Sequence, residues 1–213
     1  AQDHKRVLEG DKGKNTGGMG AYSPSRLISD ELEKKILDRI IKPTLKGLSK
    51  LGSNYMGFLY TGLMIVNDEP YLIEYNVRMG DPECQTIVPK LKTNLHEIIL
   101  ACCNKKLKEI NIEWSNKKSL CIVLCSKGYP ETYKKNIELE NLDKINLGDT
   151  EFLFHAGTEQ KNGKIFAIGG RVLNFVCLSD NFSEARKKVI RNLNQLDWFY
   201  GFFRKDIGHK VID

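Results

Sequence analysis

Long hydrophobic runs are absent from this 213-residue chain, and no stretch approaches the ~20 apolar residues that a bilayer-spanning helix needs. The opening residues lack the charged-then-apolar layout of a secretory signal, so a cytoplasmic address with no membrane partner is expected. The six cysteines, at positions 84, 102, 103, 121, 125 and 177, include no C-x-x-C pair and no histidine at zinc-finger spacing. They read as reduced, mostly buried thiols. A long basic block is missing too, although the net charge is +6. The lysines are scattered and the aromatic residues do not interleave with arginines on any short element, which argues against a nucleic-acid partner. There is no internal repeat and no low-complexity linker.

What is present is ordinary for a globular protein: 41 % hydrophobic and 28 % charged residues, enough for one sizeable core or two small ones. Residues 1–26 are polar and glycine-rich without a period, and read as loop or loosely paired strand. Asp30 with Glu33 opens a helix in which Leu32, Ile36, Leu37, Ile40, Ile41, Leu45 and Leu48 recur at helical spacing before Gly52, with a kink at Pro43. The stretches 55–66 and 71–78, joined through Asn67-Asp68-Glu69-Pro70, form a β-hairpin. A second helix spans about 94–107, opened by Asn94 with Glu97 and turning Leu95, Ile98, Ile99, Cys102 and Cys103 inward. Residues 111–118 turn polar and mark a boundary. Beyond it, strands at 120–125, 152–156 and 165–178 (the last after an Asn162-Gly163 turn) and a helix at 183–196 make a small α+β module. Two domains follow, 1–112 and 117–213.

The most informative stretch is LIEYNVRMGDPE, residues 72–83. Side chains alternate across a strand, so Glu74, Asn76 and Arg78 share one face while Ile73, Tyr75 and Val77 take the other, packing face. A carboxylate and an amide oxygen two residues apart can converge on one cation, and both are hard ligands of the kind Mg2+ prefers. Phosphate oxygens and water would complete such an ion, as when magnesium arrives on a nucleotide. Arg78 adds a planar fork for phosphate or carboxylate. A strand with one solvated face would show the same alternation. The continuation favours chemistry, because Asp81 and Glu83 follow on a tight turn.

The second stretch is NTGGMG, residues 15–20. It is neither a Walker loop nor a spaced G-x-G-x-x-G, yet successive glycines let backbone N–H groups form a nest for phosphate or carboxylate. Just before it, Asp3-His4-Lys5-Arg6 brings two fixed positive charges and an imidazole suited to steering an anionic substrate.

Together, QDHKR with NTGGMGAYSP, the hairpin YMGFLYTGLMI and LIEYNVRMGDPECQ, and the later FHAGT and GGRVL closely resemble the glycinamide ribonucleotide synthetases, the phosphoribosylamine-glycine ligases of purine biosynthesis. These are ATP-grasp enzymes, and the resemblance covers essentially the whole chain. It implies an α+β fold: the carboxy-terminal half of an ATP-grasp catalytic domain followed by a small α+β carboxy-terminal domain. It also implies a reaction in which Mg-ATP phosphorylates the carboxylate of glycine and the amine of 5-phosphoribosylamine attacks the glycyl phosphate. On that basis Glu74 and Asn76 would hold Mg2+, with Mn2+ as an alternative ion, and Arg78 would stabilise the transferring phosphoryl group. Asn15, Thr16, Gly17, Gly18 and Asp81 would hold phosphoribosylamine and glycine. The family's amino-terminal part carries the adenine pocket and lid, so this chain alone is expected to be inactive and to partner that part of the same enzyme.

Against the family pattern, Lys14 replaces a frequent proline, Met79 a phenylalanine and Cys84 a threonine. None of these removes an expected ligand. His155 in FHAGT reads as a structural hydrogen-bonder, Arg171 in GGRVL is left without a role, and so is the closing FRKDIG. The rival readings are another ATP-grasp carboxylate-amine ligase and a non-enzymatic basic nucleic-acid-binding module.

Overall fold

The structure, a computed structural model, describes residues 1–212. Four short strands come first: β1 (Gln2–Asp3), β2 (Arg6–Leu8), β3 (Lys12–Asn15) and β4 (Gly20–Ser23). Helix α1 (Asp30–Ile36) runs through a π turn (Leu37–Ile41) into α2 (Lys42–Lys50). The strands β5 (Tyr60–Val66) and β6 (Glu69–Asn76) follow, then the helices α3 (Glu83–Ile87) and α4 (Leu95–Cys103). Five strands come next: β7 (Lys118–Ser126), β8 (Ile137–Glu138), β9 (Glu151–His155), β10 (Thr158–Lys161) and β11 (Lys164–Ala167). Strand β12 (Arg171–Ser179), helix α5 (Phe182–Leu196) and strand β13 (Gly201–Phe202) close the chain.

The class is α+β, as expected. Two compact units emerge, 1–24 with 81–90 and 115–213, and 25–80 with 91–114. They do not follow a linear cut at 112–117, because β4 pairs with β7 and carries the opening residues into the carboxy-terminal sheet.

The first unit is built on an antiparallel sheet of order β1-β4-β7-β12-β9, with β13 also on β7. The runs Leu120 to Cys125 and Val172 to Leu178 are apolar almost throughout and buried on both faces, which suits central strands packed by α3 and α5. Helix α5 starts where the Asn181 side chain accepts from the Glu184 N–H at 2.8 Å, and it buries Ala185, Val189, Leu193 and Leu196. The strand expected over 165–178 is two strands. Ile168-Gly169-Gly170 interrupts it, so β11 joins β10 and β8 in a separate sheet while β12 enters the core. Of the two readings of the opening residues, loop or loosely paired strand, the strand holds, and its pairing is tight enough to make Ala21 and Tyr22 core residues.

In the second unit Ser29, not Asp30, caps α1, its hydroxyl accepting from the Leu32 N–H at 3.2 Å. The π turn lies directly ahead of Pro43, and within it the Lys42 N–H donates to Leu37 O, five residues back. The hairpin turn is tighter than expected. Asn67 and Asp68 make it alone, both at positive φ, and Glu69 already pairs with Val66. Gly62 faces Glu74 and Leu63 faces Leu72, so Ile73 is a bulged extra residue. That bulge breaks the expected packing face: Ile73 is 65 % and Val77 76 % exposed, and only Tyr75 is half-buried, with Oη 2.5 Å from Thr44 Oγ1. Helix α4 has the expected cap, Asn94 accepting from the His96 N–H at 2.9 Å, but ends at Cys103 and buries only Ala101. Ile99 and Cys103, expected inward, are exposed. Among the described residues no helix is long and apolar enough to cross a membrane.

Candidate active site

Glu74 and Asn76 sit at the end of β6 with their side chains on one side, beyond the bulge. The Asn76 Nδ2 amide donates to Glu74 Oε1 at 3.0 Å. That N–H satisfies the carboxylate as a cation would, and a half-turn of the amide brings Oδ1 beside the same oxygen. The pair therefore fits a small hard cation through two oxygen donors. Arg78 is not on the strand. It lies two residues past the end of β6, exposed, with Nη1 donating to Met79 O at 2.8 Å.

The NTGG loop lies in the first unit, and its backbone donors are not free. Thr16 N donates to Lys5 O at 2.7 Å, Gly17 N to Tyr129 Oη at 3.0 Å, Gly18 N to Thr16 Oγ1 at 3.0 Å and Met19 N to His4 O at 2.9 Å. The expected anion nest of N–H groups is thus corrected: these donors hold the loop's own shape. Gly18 is required by conformation and by space. Its φ is +123°, and a Cβ there would lie 2.4 Å from Pro82 Cδ and 2.8 Å from Asp3 Oδ1. Asn15 and Gly17 face solvent, whereas Gly18 is buried.

The Asp3-His4-Lys5-Arg6 stretch, expected to steer an anionic substrate, has its polar groups engaged within the fold. His4 is buried, Lys5 Nζ lies 2.5 Å from Asp3 Oδ2, and Arg6 Nη1 donates to Gly13 O at 2.8 Å. Burial, reinforced by the neighbouring Glu83, pushes the Asp3 carboxyl up to about 7 despite Lys5. Glu83 is buried as well, so of the two carboxylates in the GDPE turn only Asp81 is accessible.

Asp81 is brought to the NTGG loop by a residue without an assigned role. Arg171, at the start of β12, extends Nη2 to Asp81 Oδ2 at 2.9 Å and Nη1 to Asp81 O at 3.0 Å and Gly17 O at 3.1 Å. The GGRVL and FHAGT segments fix its backbone. Gly157 N donates to Arg171 O at 3.0 Å, and a Cβ on Gly157 would fall 2.6 Å from Gly169 Cα, so the two segments cross at a distance only glycine allows. His155 is exposed, its Nδ1 3.0 Å from Thr158 Oγ1.

His4, Asp11 and His209 bring three potential ligand atoms within 4.8 Å of one another. Arg204 Nη1 and Lys210 Nζ, however, lie 3.1 Å and 2.8 Å from Asp11, so a metal ion there would face two fixed positive charges. The cluster is an ion-pair network. Sequence reasoning missed it, as it missed Tyr129 under Gly17, because the partners are far apart along the chain.

Residues 1–84 match the family model described as Phosphoribosylglycinamide synthetase, ATP-grasp (A) domain, and residues 119–210 match Phosphoribosylglycinamide synthetase, C domain. The chain belongs to the phosphoribosylamine-glycine ligase family of ATP-grasp proteins. It is 41 % identical over 213 residues to a phosphoribosylamine-glycine ligase of Brucella melitensis, covering all of this chain and 50 % of that protein. The counterpart from Haemophilus influenzae is 44 % identical over 214 residues, with the same coverage. A crystal structure of the Thermotoga maritima phosphoribosylamine-glycine ligase superposes with a TM-score of 0.83 at 34 % identity, over 97 % of this chain and 50 % of that one. The chain spans about half the length of the curated relatives it matches.

Proposed function

We propose that the protein to which this chain belongs is an ATP-dependent ligase that joins glycine to 5-phosphoribosylamine, giving glycinamide ribonucleotide, ADP and phosphate. The relatives named as phosphoribosylamine-glycine ligases support the substrates. The single structural observation that carries the chemistry is the Glu74–Asn76 pair, a carboxylate and an amide meeting at the end of one strand, which a half-turn of the amide converts into two oxygen donors. When bound there, Mg2+, or Mn2+ in its place, would offset the negative charge of the ATP phosphates.

In this reading a glycine carboxylate oxygen attacks the γ-phosphorus and the bond to ADP breaks. The lone pair of the phosphoribosylamine nitrogen then attacks the glycyl carbonyl carbon, phosphate leaves with the C–O electrons, and the nitrogen loses a proton. Arg78, exposed and forked, stabilises the phosphoryl oxygens in transfer. Asn15, Thr16, Gly17, Gly18 and Asp81 orient phosphoribosylamine and glycine. With their N–H groups engaged, Thr16, Gly17 and Gly18 offer carbonyl oxygens, while Asn15 and Asp81 offer side chains. The same reading puts the protein in the cytoplasm and the adenine pocket in its amino-terminal part.

The full-length protein given glycine, 5-phosphoribosylamine and Mg-ATP is expected to form glycinamide ribonucleotide, identified by mass. Product formed only with another carboxylic acid or another amine would favour a different ATP-grasp ligase.

A further inference from the structure

We infer that Arg171 is a positioning residue, a clamp that sets the shape of the substrate loop from outside it. Its guanidinium spends its donors on two segments that are distant in sequence. Nη1 reaches Gly17 O, Asp81 O and Asp81 Oδ1 (3.3 Å), while Nη2 takes Asp81 Oδ2. The other side of Gly17 is held by Tyr129, whose hydroxyl accepts the Gly17 N–H. One peptide segment is thus gripped at its carbonyl by an arginine and at its amide by a tyrosine.

The guanidinium also lies flat against Gly17, where a Cβ would come 3.0 Å from Arg171 Cζ. Its base is rigid. Ser126 N donates to Gly170 O at 2.8 Å, Ser126 Oγ to Gly169 O at 2.9 Å, and Arg171 pairs with Cys125 in the core strand β7. A forked cation on a fixed strand end can hold a carboxylate, a carbonyl and a neighbouring carbonyl at once, which a lysine cannot. Asp81 is accessible enough to meet a ligand, with its side chain 44 % exposed, while Arg171 is 21 % exposed beneath it. Arg171 therefore presents Asp81 and the Gly17 carbonyl in a fixed relation, so that glycine and phosphoribosylamine meet a preformed surface. The identity of those substrates rests on the ligase reading above, whereas the clamp rests on the contacts alone.

In the full-length protein, Arg171→Met is expected to speed amide exchange across residues 15–18 about ten-fold or more, with Leu120 to Cys125 unchanged. It should also raise KM for glycine and for phosphoribosylamine about ten-fold while KM for ATP stays within about two-fold. Arg171→Lys should not restore these values. Gly17→Ala keeps every polar side chain but pushes the guanidinium away, and it should reproduce the same pattern of KM changes. Parental exchange at 15–18 in Arg171→Met, or a fall in kcat with every KM unchanged, overturns the inference. A parent protein that ligates no glycine would sink the ligase reading, and the exchange measurement would then decide the clamp by itself.

Discussion

Arg204 binds Asp206 through both arms of its guanidinium, with Nε 2.8 Å from Oδ1 and Nη2 2.7 Å from Oδ2, at 1 % exposure. Its Nη1 serves Arg6 O at 2.9 Å and Asp11 Oδ1 at 3.1 Å, and Asp206 Oδ2 accepts the Gly10 N–H at 2.8 Å. The closing FRKDIG thus ties the chain's end to the β2–β3 hairpin. Removing this buried cation leaves Asp206 without its arginine and Asp11 with Lys210 as its remaining fixed cation, so Arg204→Met is expected to cost on the order of 3 kcal/mol. Urea unfolding of the full-length protein and its variant checks this; a loss below about 1 kcal/mol would mean the network is dispensable.

His4 belongs to the same network and stays neutral. Its Nε2 accepts the Gly208 N–H at 3.1 Å, and burial, aided by the Arg204 charge, pushes its pKa down to about 4 from an ordinary 6.5. Between those values the unfolded chain binds more protons than the folded one, so stability falls as pH drops from 6.5 toward 4. His4→Gln is expected to flatten that part of the profile even if it lowers stability throughout. An unchanged slope in urea midpoint against pH would show that another group carries it.

The helix cap at Asn94 and the Glu74–Asn76 pair could be read directly, because each depends on spacing within one short segment. The bulge at Ile73 could not. It turns on how Gly62 meets Glu74 across the hairpin, which alternation along a single strand does not encode. Long-range pairing hid more: β4 reads as loop or loosely paired strand until Gly20 is seen opposite Ile122, and Arg204 in FRKDIG has no role until Asp11 and Arg6 enclose it. The glycines of NTGG marked a backbone requirement correctly but pointed to an anion nest. The acceptors that consume their N–H groups, such as Tyr129 Oη, lie in segments no local motif connects.

Gly18→Ala tests that backbone requirement. With φ at +123° and Pro82 Cδ in the way of any Cβ, the substitution is expected to cost about 1–3 kcal/mol in urea unfolding. Full stability would mean the loop can relax around a side chain.

Four of the six cysteines mark the extremes of burial, with Cys84 and Cys102 half-buried between them. Burial raises the Cys121 and Cys177 thiols and pushes Cys125 up to about 12, whereas Cys103 is exposed. A thiol reagent applied to the native full-length protein at pH 8 should label Cys103 promptly and leave the core cysteines untouched until denaturant is added. Prompt labelling of Cys125 would show that the β7–β12 core opens readily.

Glu74→Gln in the full-length protein measures most directly whether the end of β6 holds the nucleotide-borne cation. Glycine-dependent ADP formation, followed across a magnesium titration, is expected to lose about a hundred-fold or more in kcat, while KM for phosphoribosylamine stays within about three-fold. Parental kcat with the parental magnesium requirement would contradict a cation site at Glu74 and Asn76.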